Sequence, residues 1–125
     1  MVTGASSGIG KDVAILLSQL GGRVVLVGRN LERLHQTESL MDKSQRHIIV
    51  NVDMNDSEAV TQKLNALVSE IGMLDALVHC AGIQITTPLQ FMDAEMMNTI
   101  IQSNLVSAIT LAKFFRQKTV AKAGS

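Results

Sequence analysis

Thr3-Gly4-Ala5-Ser6-Ser7-Gly8-Ile9-Gly10 sets three glycines and two serines between a short apolar start and an amphipathic segment. The chemistry open to such a turn is anion binding by the main chain. The first N–H groups of a helix have no partner within it and carry a partial positive charge, so a phosphate is stabilised there without a basic side chain. Glycine allows the close approach that a Cβ would block. The spacing is Gly-x3-Gly-x-Gly, a departure from the Gly-x-Gly-x-x-Gly of the standard dinucleotide fingerprint. Within the turn, Gly4, Ser6, Ser7, Gly8, Ile9 and Gly10 are the candidate diphosphate contacts.

A second position bears on which nucleotide would bind. About twenty residues beyond a phosphate turn, dinucleotide sites place either an acid on the ribose hydroxyls or a basic group near an extra phosphate. Here that position is Arg29, between Gly28 and Asn30. A carboxylate would repel a 2′-phosphate, whereas a guanidinium clasps one through two parallel hydrogen bonds. NADP(H) is therefore favoured, with NAD(H) as the alternative.

Positioning these groups requires a regular scaffold, and the chain reads as one. A helix is predicted from about Gly8 to Leu20, with Val13, Leu16, Leu17 and Leu20 at helical spacing and Gly21-Gly22 as its stop. Val24-Val25-Leu26-Val27 is a continuous apolar run of the kind found in buried parallel strands. Leu31 and Leu34 with later Leu40-Met41 indicate a second helix, and His47-Ile48-Ile49-Val50 a further strand. Asp56 or Ser57 caps a third helix with Val60, Leu64, Leu67, Val68 and Ile71 on one face, ended by Gly72. Ala76-Leu77-Val78-His79 is the next strand, and one long helix is predicted from about Asp93 to Val120.

Strands alternating with helices imply right-handed βαβ units, a parallel sheet and helices on both faces. The predicted fold is a doubly wound α/β (Rossmann-like) sheet, with residues 1–125 as one partial dinucleotide-binding domain. It is expected to be incomplete at both ends, because a central strand runs ~5 residues and only Met1, Val2 and Thr3 precede the turn. Ligand crevices in such sheets lie outside the carboxyl ends of the strands. The glycine turn, Gly28-Arg29, Asp53 and Ala81-Gly82 all fall at such ends.

Composition narrows the function classes. Eleven basic and eleven acidic residues balance, which speaks against a nucleic-acid or membrane-surface partner. The single cysteine, Cys80, rules out an intrachain disulfide and makes the cytoplasm the default location. No run approaches the ~18 apolar residues of a membrane span, and no secretory leader is read at the start. With three Phe but no Tyr or Trp, the chain offers no phenolic acid and little to stack on a nucleobase. Adjacent His79 and Cys80 would point to opposite faces of a strand, so they read as a packed strand end, and no metal site is predicted. The seven Met residues read as core or interface filling.

These motifs together resemble the short-chain dehydrogenase/reductase family, in its amino-terminal coenzyme-binding portion, across essentially the whole chain. Thr3 to Gly10 is similar to that family's Thr-Gly-x-x-x-Gly-x-Gly coenzyme turn, and Asp53 matches the acid that bonds the adenine ring. Asp75-Ala76-Leu77-Val78-His79-Cys80-Ala81-Gly82 resembles the segment Asp-x-Leu-Val-Asn-Asn-Ala-Gly, with His79 and Cys80 in place of two asparagines and the ribose-facing Ala81-Gly82 kept. Asn104 falls where the family carries a catalytic asparagine that holds a water in the proton relay.

The resemblance implies hydride transfer between a nicotinamide and a small carbonyl or alcohol substrate. It also implies a tyrosine acid/base, a lysine four residues later and a serine. Neither the serine nor Tyr-x-x-x-Lys has a counterpart here, and Ser125 is not assigned as that serine, so this chain alone is expected to be inactive. The family further implies a homo-oligomer through the long C-terminal helix. Two alternatives stay open: a non-catalytic dinucleotide-binding or assembly module, and nucleotide-sugar or epimerase chemistry on the same scaffold.

Overall fold

The computed structural model of the protein describes residues 1–124; Ser125 lies outside the described residues. Four parallel strands form one sheet in the order β3-β2-β1-β4, with β1 Val2–Thr3, β2 Val25–Gly28, β3 Ile48–Asn51 and β4 Val78–His79. Helices α1 (Gly8–Gln19), α2 (Leu31–Ser39) and α3 (Ser57–Ile71) connect them. The chain steps outward from β1 to β3 and then returns through α3 to β4 on the other side of β1. This reversal between β1 and β4 is the switch point at which such sheets open a crevice.

Burial explains the strand sequences. Val25 and Val27 face α3 and the last helix, packing with Val60, Leu64, Leu111 and Phe114. Val24 and Leu26 face α1 and α2, packing with Ala14, Leu34 and Met41. With both faces covered, β2 is buried along its whole length, and the apolar run shows no alternation. β4 covers only Val78–His79, fewer residues than predicted, because β1 supplies just Val2 and Thr3 as pairing partners.

The helix α1 corrects the predicted apolar face. Val13 and Leu17 pack against the core as expected, but Leu16 and Leu20 are exposed, and the fully buried positions are Gly10, Ala14 and Ser18. Gly10 meets the Gly4 carbonyl of the turn, and Ala14 packs in the cluster of Val2, Leu26 and Leu34. Ser18 Oγ donates to the Ile15 carbonyl at 2.7 Å and accepts the Asp42 N–H at 3.0 Å, so its burial leaves no polar group unpaired. The helix stops where predicted, with the Gly21 and Gly22 N–H groups bonded to the Ser18 and Leu17 carbonyls.

The predicted helix from Asp93 to Val120 is also corrected. It comprises α4 (Ala94–Ile101), a π-helical segment (Gln102–Val106) and α5 (Ser107–Phe115). Residues 116–119 contain no Gly or Pro, and the helix ends because the main chain finds other partners. Leu74 N–H donates to the Val120 carbonyl at 2.7 Å, Lys122 N–H donates to the Leu74 carbonyl at 3.1 Å, and Val120 is buried. A parallel bridge between Leu74 and Ala121 results. The buried residues of this region are Ser103, Ser107, Leu111 and Phe114, whereas Ile101 and Leu105 are exposed. No helix is long and apolar enough to cross a membrane among the described residues.

Candidate functional site: a crevice at the carboxyl ends of the strands

The glycine turn is built by close contacts that only glycine permits. Gly4 has φ of 67°, and a Cβ there would lie 2.8 Å from the Cys80 carbonyl and the Ala81 nitrogen. A Cβ on Gly10 would lie 2.4 Å from the Gly4 carbonyl oxygen. The turn is thus pressed between β4's exit and the first turn of α1. The buried Thr37 hydroxyl holds it from α2, lying 2.9 Å from the Ala5 carbonyl and 3.0 Å from the Arg33 carbonyl.

The start of α1 differs from the other helices that begin in a loop. Asn30, Asp56 and Asp93 accept side-chain capping bonds from Arg33, Ala59 and Met96 N–H, and Glu32, Glu58 and Glu95 occupy the first turns of α2, α3 and α4. Ser7 makes no such bond, and the first turn of α1 has no acid. Its N–H groups therefore face outward with their partial positive charge uncompensated by a side chain.

They face a crevice of about 560 Å³, lined by Gly4, Ser6, Ser7, Gly8, Ile9, Gly10, Arg29, Asp53, Ala81 and Gly82. The structure brings every predicted contact residue to one place. Arg29 Nη1 stands 4.0 Å from Asp53 Oδ2, with both side chains largely in solvent. Asp53 Oδ1 accepts the Asn55 N–H at 3.0 Å, which fixes the loop after β3.

Other lining residues were not anticipated. Arg33 joins Arg29 at the crevice from the first turn of α2, and its place just past the helix start at Asn30 is the sequence signal that points to it. Asn55 also lines the crevice and accepts the Ser103 hydroxyl at 2.9 Å. The two are 48 residues apart, so no local pattern announces the contact.

Asn104 lies beside the crevice wall. Its Oδ1 accepts the Ile83 N–H at 2.8 Å and its Nδ2 donates to the Ile83 carbonyl at 2.9 Å. The side chain thus clamps the chain just beyond Ala81-Gly82, and it projects from the π-helical segment, a distortion common near functional sites. Asn104→Ala should speed amide exchange at Ile83 about fivefold, from the loss of a bond worth about 1 kcal/mol, with exchange at Leu26 unchanged. Equal protection of Ile83 in both proteins would remove the clamp. His79 and Cys80 separate as strand geometry requires. His79 turns to Thr3 and Ser107, and Cys80 lines the crevice. Among the described residues no group of three or more His, Cys, Asp or Glu is placed to hold a metal.

Fold and crevice together define a Rossmann-like α/β fold with an uncapped helix start opening on the crevice at its switch point. The family model described as short chain dehydrogenase matches residues 1–125, and the chain belongs to that family. It is 35% identical to an uncharacterised oxidoreductase of Myxococcus xanthus over 129 residues, covering 99% of this chain and 50% of the relative. It is 34% identical to gluconate 5-dehydrogenase of Gluconobacter oxydans over 123 residues, covering 98% of this chain and 46% of that enzyme. Among solved structures, a metagenomic short-chain oxidoreductase in complex with NADP superposes with a TM-score of 0.83 at 31% identity, over 91% of this chain and 52% of that one. The chain spans about half the length of the relatives it matches.

Proposed function

We propose that this chain is the NADP(H)-binding portion of a cytoplasmic oxidoreductase that moves hydride between a nicotinamide and a small carbonyl or alcohol. The observation that carries this reading is the uncapped N-terminus of α1, opening on a crevice that all the predicted contact residues line. The residues present fit a dinucleotide: unpartnered N–H groups of Gly8, Ile9 and Gly10 for the diphosphate, Asp53 for adenine, and Ala81-Gly82 for the nicotinamide ribose. Bound there, the coenzyme would supply or accept the hydride. The chain's own residues bind and orient it, and the bonds through Asn104 and Ser103 keep the crevice wall and the loop after β3 in place. Asn104 keeps the family's place in the proton relay while its side chain braces Ile83.

The NADP-bound neighbour, Arg29 and Arg33 support the choice of NADP(H). Two guanidinium groups at the ribose end supply charge-assisted hydrogen bonds to a 2′-phosphate, each worth about 1.5–3 kcal/mol. Arg29→Asp should therefore weaken NADPH binding about 10- to 100-fold and leave NADH binding within a factor of about three, as measured by calorimetric titration. An unchanged preference would remove Arg29 from the site.

A second reading, a dinucleotide-binding assembly module, draws on one feature. Met97, Ile101, Leu105 and Ile109 form an exposed apolar stripe at four-residue spacing along α4, the π segment and α5. We assign that stripe to a homo-oligomer contact. Sedimentation should show a dimer that Ile101→Glu dissociates, and a monomeric parent protein would overturn the assignment.

A further inference from the structure

The side chain of His79 closes a hydrogen-bonded chain across the sheet. Ala81 N–H donates to Thr3 Oγ1 at 3.3 Å, and Thr3 Oγ1 lies 2.7 Å from His79 Nδ1. On the other side of the ring, His79 Nε2 is 3.5 Å from Ser107 Oγ, which donates to the Ser103 carbonyl at 2.5 Å. The hydroxyls fix the direction. Ser107 gives its proton to the much closer Ser103 carbonyl, so its oxygen is left to accept from Nε2. Thr3 Oγ1 already accepts from Ala81, and its proton is satisfied by a bare Nδ1. Thr3 and Ser107 are fully buried, where a hydroxyl proton without an acceptor is costly.

We propose that His79 is a positioning residue for the crevice: with its proton on Nε2, it orients the Thr3 hydroxyl so that this oxygen holds the Ala81 amide at the crevice wall. The proposal rests on the reading of that wall as the ribose contact. A protonated ring would carry a second donor towards Thr3 and leave the buried threonine proton without its acceptor.

The surroundings favour the neutral ring. On β1 the only charge is the Met1 ammonium, bonded to the Ala76 carbonyl at 2.8 Å at the opposite end of the strand. Asp75 precedes β4 and pairs with Lys122 at 2.5 Å. From Gln102 to Ala112 no residue is ionisable, and Lys11 and Asp12 of α1 belong to the other face of the sheet. Burial holds the His79 pKa below the ordinary imidazole value. The stability and coenzyme affinity that depend on the neutral ring are complete above about pH 6.5 and fall as pH drops through the lower folded value.

Three readouts on the protein test this: 15N–1H correlation of the His79 ring without coenzyme, exchange of the Ala81 amide, and NADPH titration, for the parent, His79→Leu and His79→Asn. Asparagine places an acceptor oxygen where Nδ1 stands, and leucine places none. The expected results are a proton on Nε2 at pH 7.5, tenfold faster Ala81 exchange and tenfold weaker NADPH binding in His79→Leu, and near-parental values in His79→Asn. A proton on Nδ1, parental Ala81 protection in His79→Leu, or His79→Asn behaving as the leucine variant does would each overturn it. A parent protein that binds no NADPH would instead sink the coenzyme reading, and the ring and Ala81 readouts would still decide the role of His79.

Discussion

Ile9→Glu is expected to lower NADPH affinity at least 100-fold while leaving thermal stability unchanged or slightly higher. Ile9 is 76% exposed at the second position of α1, so the substitution disturbs no packing. A carboxylate in the first turn of a helix is worth about 0.3–1 kcal/mol to the folded state. Toward a bound diphosphate the same charge acts in reverse, competing for the free N–H groups and repelling two negative charges. At a few ångströms, with partial exposure and salt screening, that repulsion amounts to about 3 kcal/mol, or two decades of affinity. Opposite signs in stability and binding separate this effect from simple unfolding. An Ile9→Glu protein that binds NADPH as the parent does would show that the diphosphate lies elsewhere.

Gly10→Ala should produce the largest loss of stability among single methyl additions to the turn. The added carbon would sit 2.4 Å from the Gly4 oxygen and 2.7 Å from the Gly4 carbonyl carbon, both main-chain atoms that no rotamer change can move. Either α1 moves away from β1 or the turn opens. Overpacking of this kind costs about 3 kcal/mol, which in a domain of this size lowers Tm by roughly 10 °C. Binding should fail with it, because the same shift displaces the N–H groups of the first helical turn. Thermal unfolding followed by circular dichroism measures the first effect, and an unaltered Tm would mean that the turn tolerates more room than its contacts allow.

The parts of the site that could be read in advance are those fixed by local backbone chemistry. The glycine turn announces itself because its close contacts exclude a Cβ, and Arg29, Asp53 and Ala81-Gly82 follow from the rule that crevices open at strand ends. Of the two candidates Asp56 and Ser57, it is Asp56 that caps α3. Illegible features depend on distant partners. Asn55 against Ser103 and the departure of the chain at Val120 toward Leu74 are tertiary contacts between residues far apart in sequence. The misread face of α1 has a different cause. Leu16 and Leu20 satisfy a helical period, yet the positions that meet the turn, the core cluster and Asp42 are the small residues Gly10, Ala14 and Ser18. Hydrophobicity ranks residues by transfer from water, and steric room decides among them when two main chains must nearly touch.

The π-helical segment at Gln102–Val106 shows the same limit. Its sequence is compatible with an ordinary helix, and the wider turn coexists with bonds from Ser103 to Asn55, from Asn104 to Ile83 and from Ser107 to the helix's own Ser103 carbonyl. Two of these partners lie in the loops that line the crevice, so local helix geometry and site geometry are set together.

The most direct test follows the amide signals of Gly8, Ile9 and Gly10 in a 15N-labelled protein as NADPH is added. If the main chain of α1 grips the diphosphate, these three amides shift most and saturate along a single binding curve, with Ala81 and Gly82 moving in step. Binding that leaves all three unmoved, or no binding at millimolar coenzyme, would contradict the account.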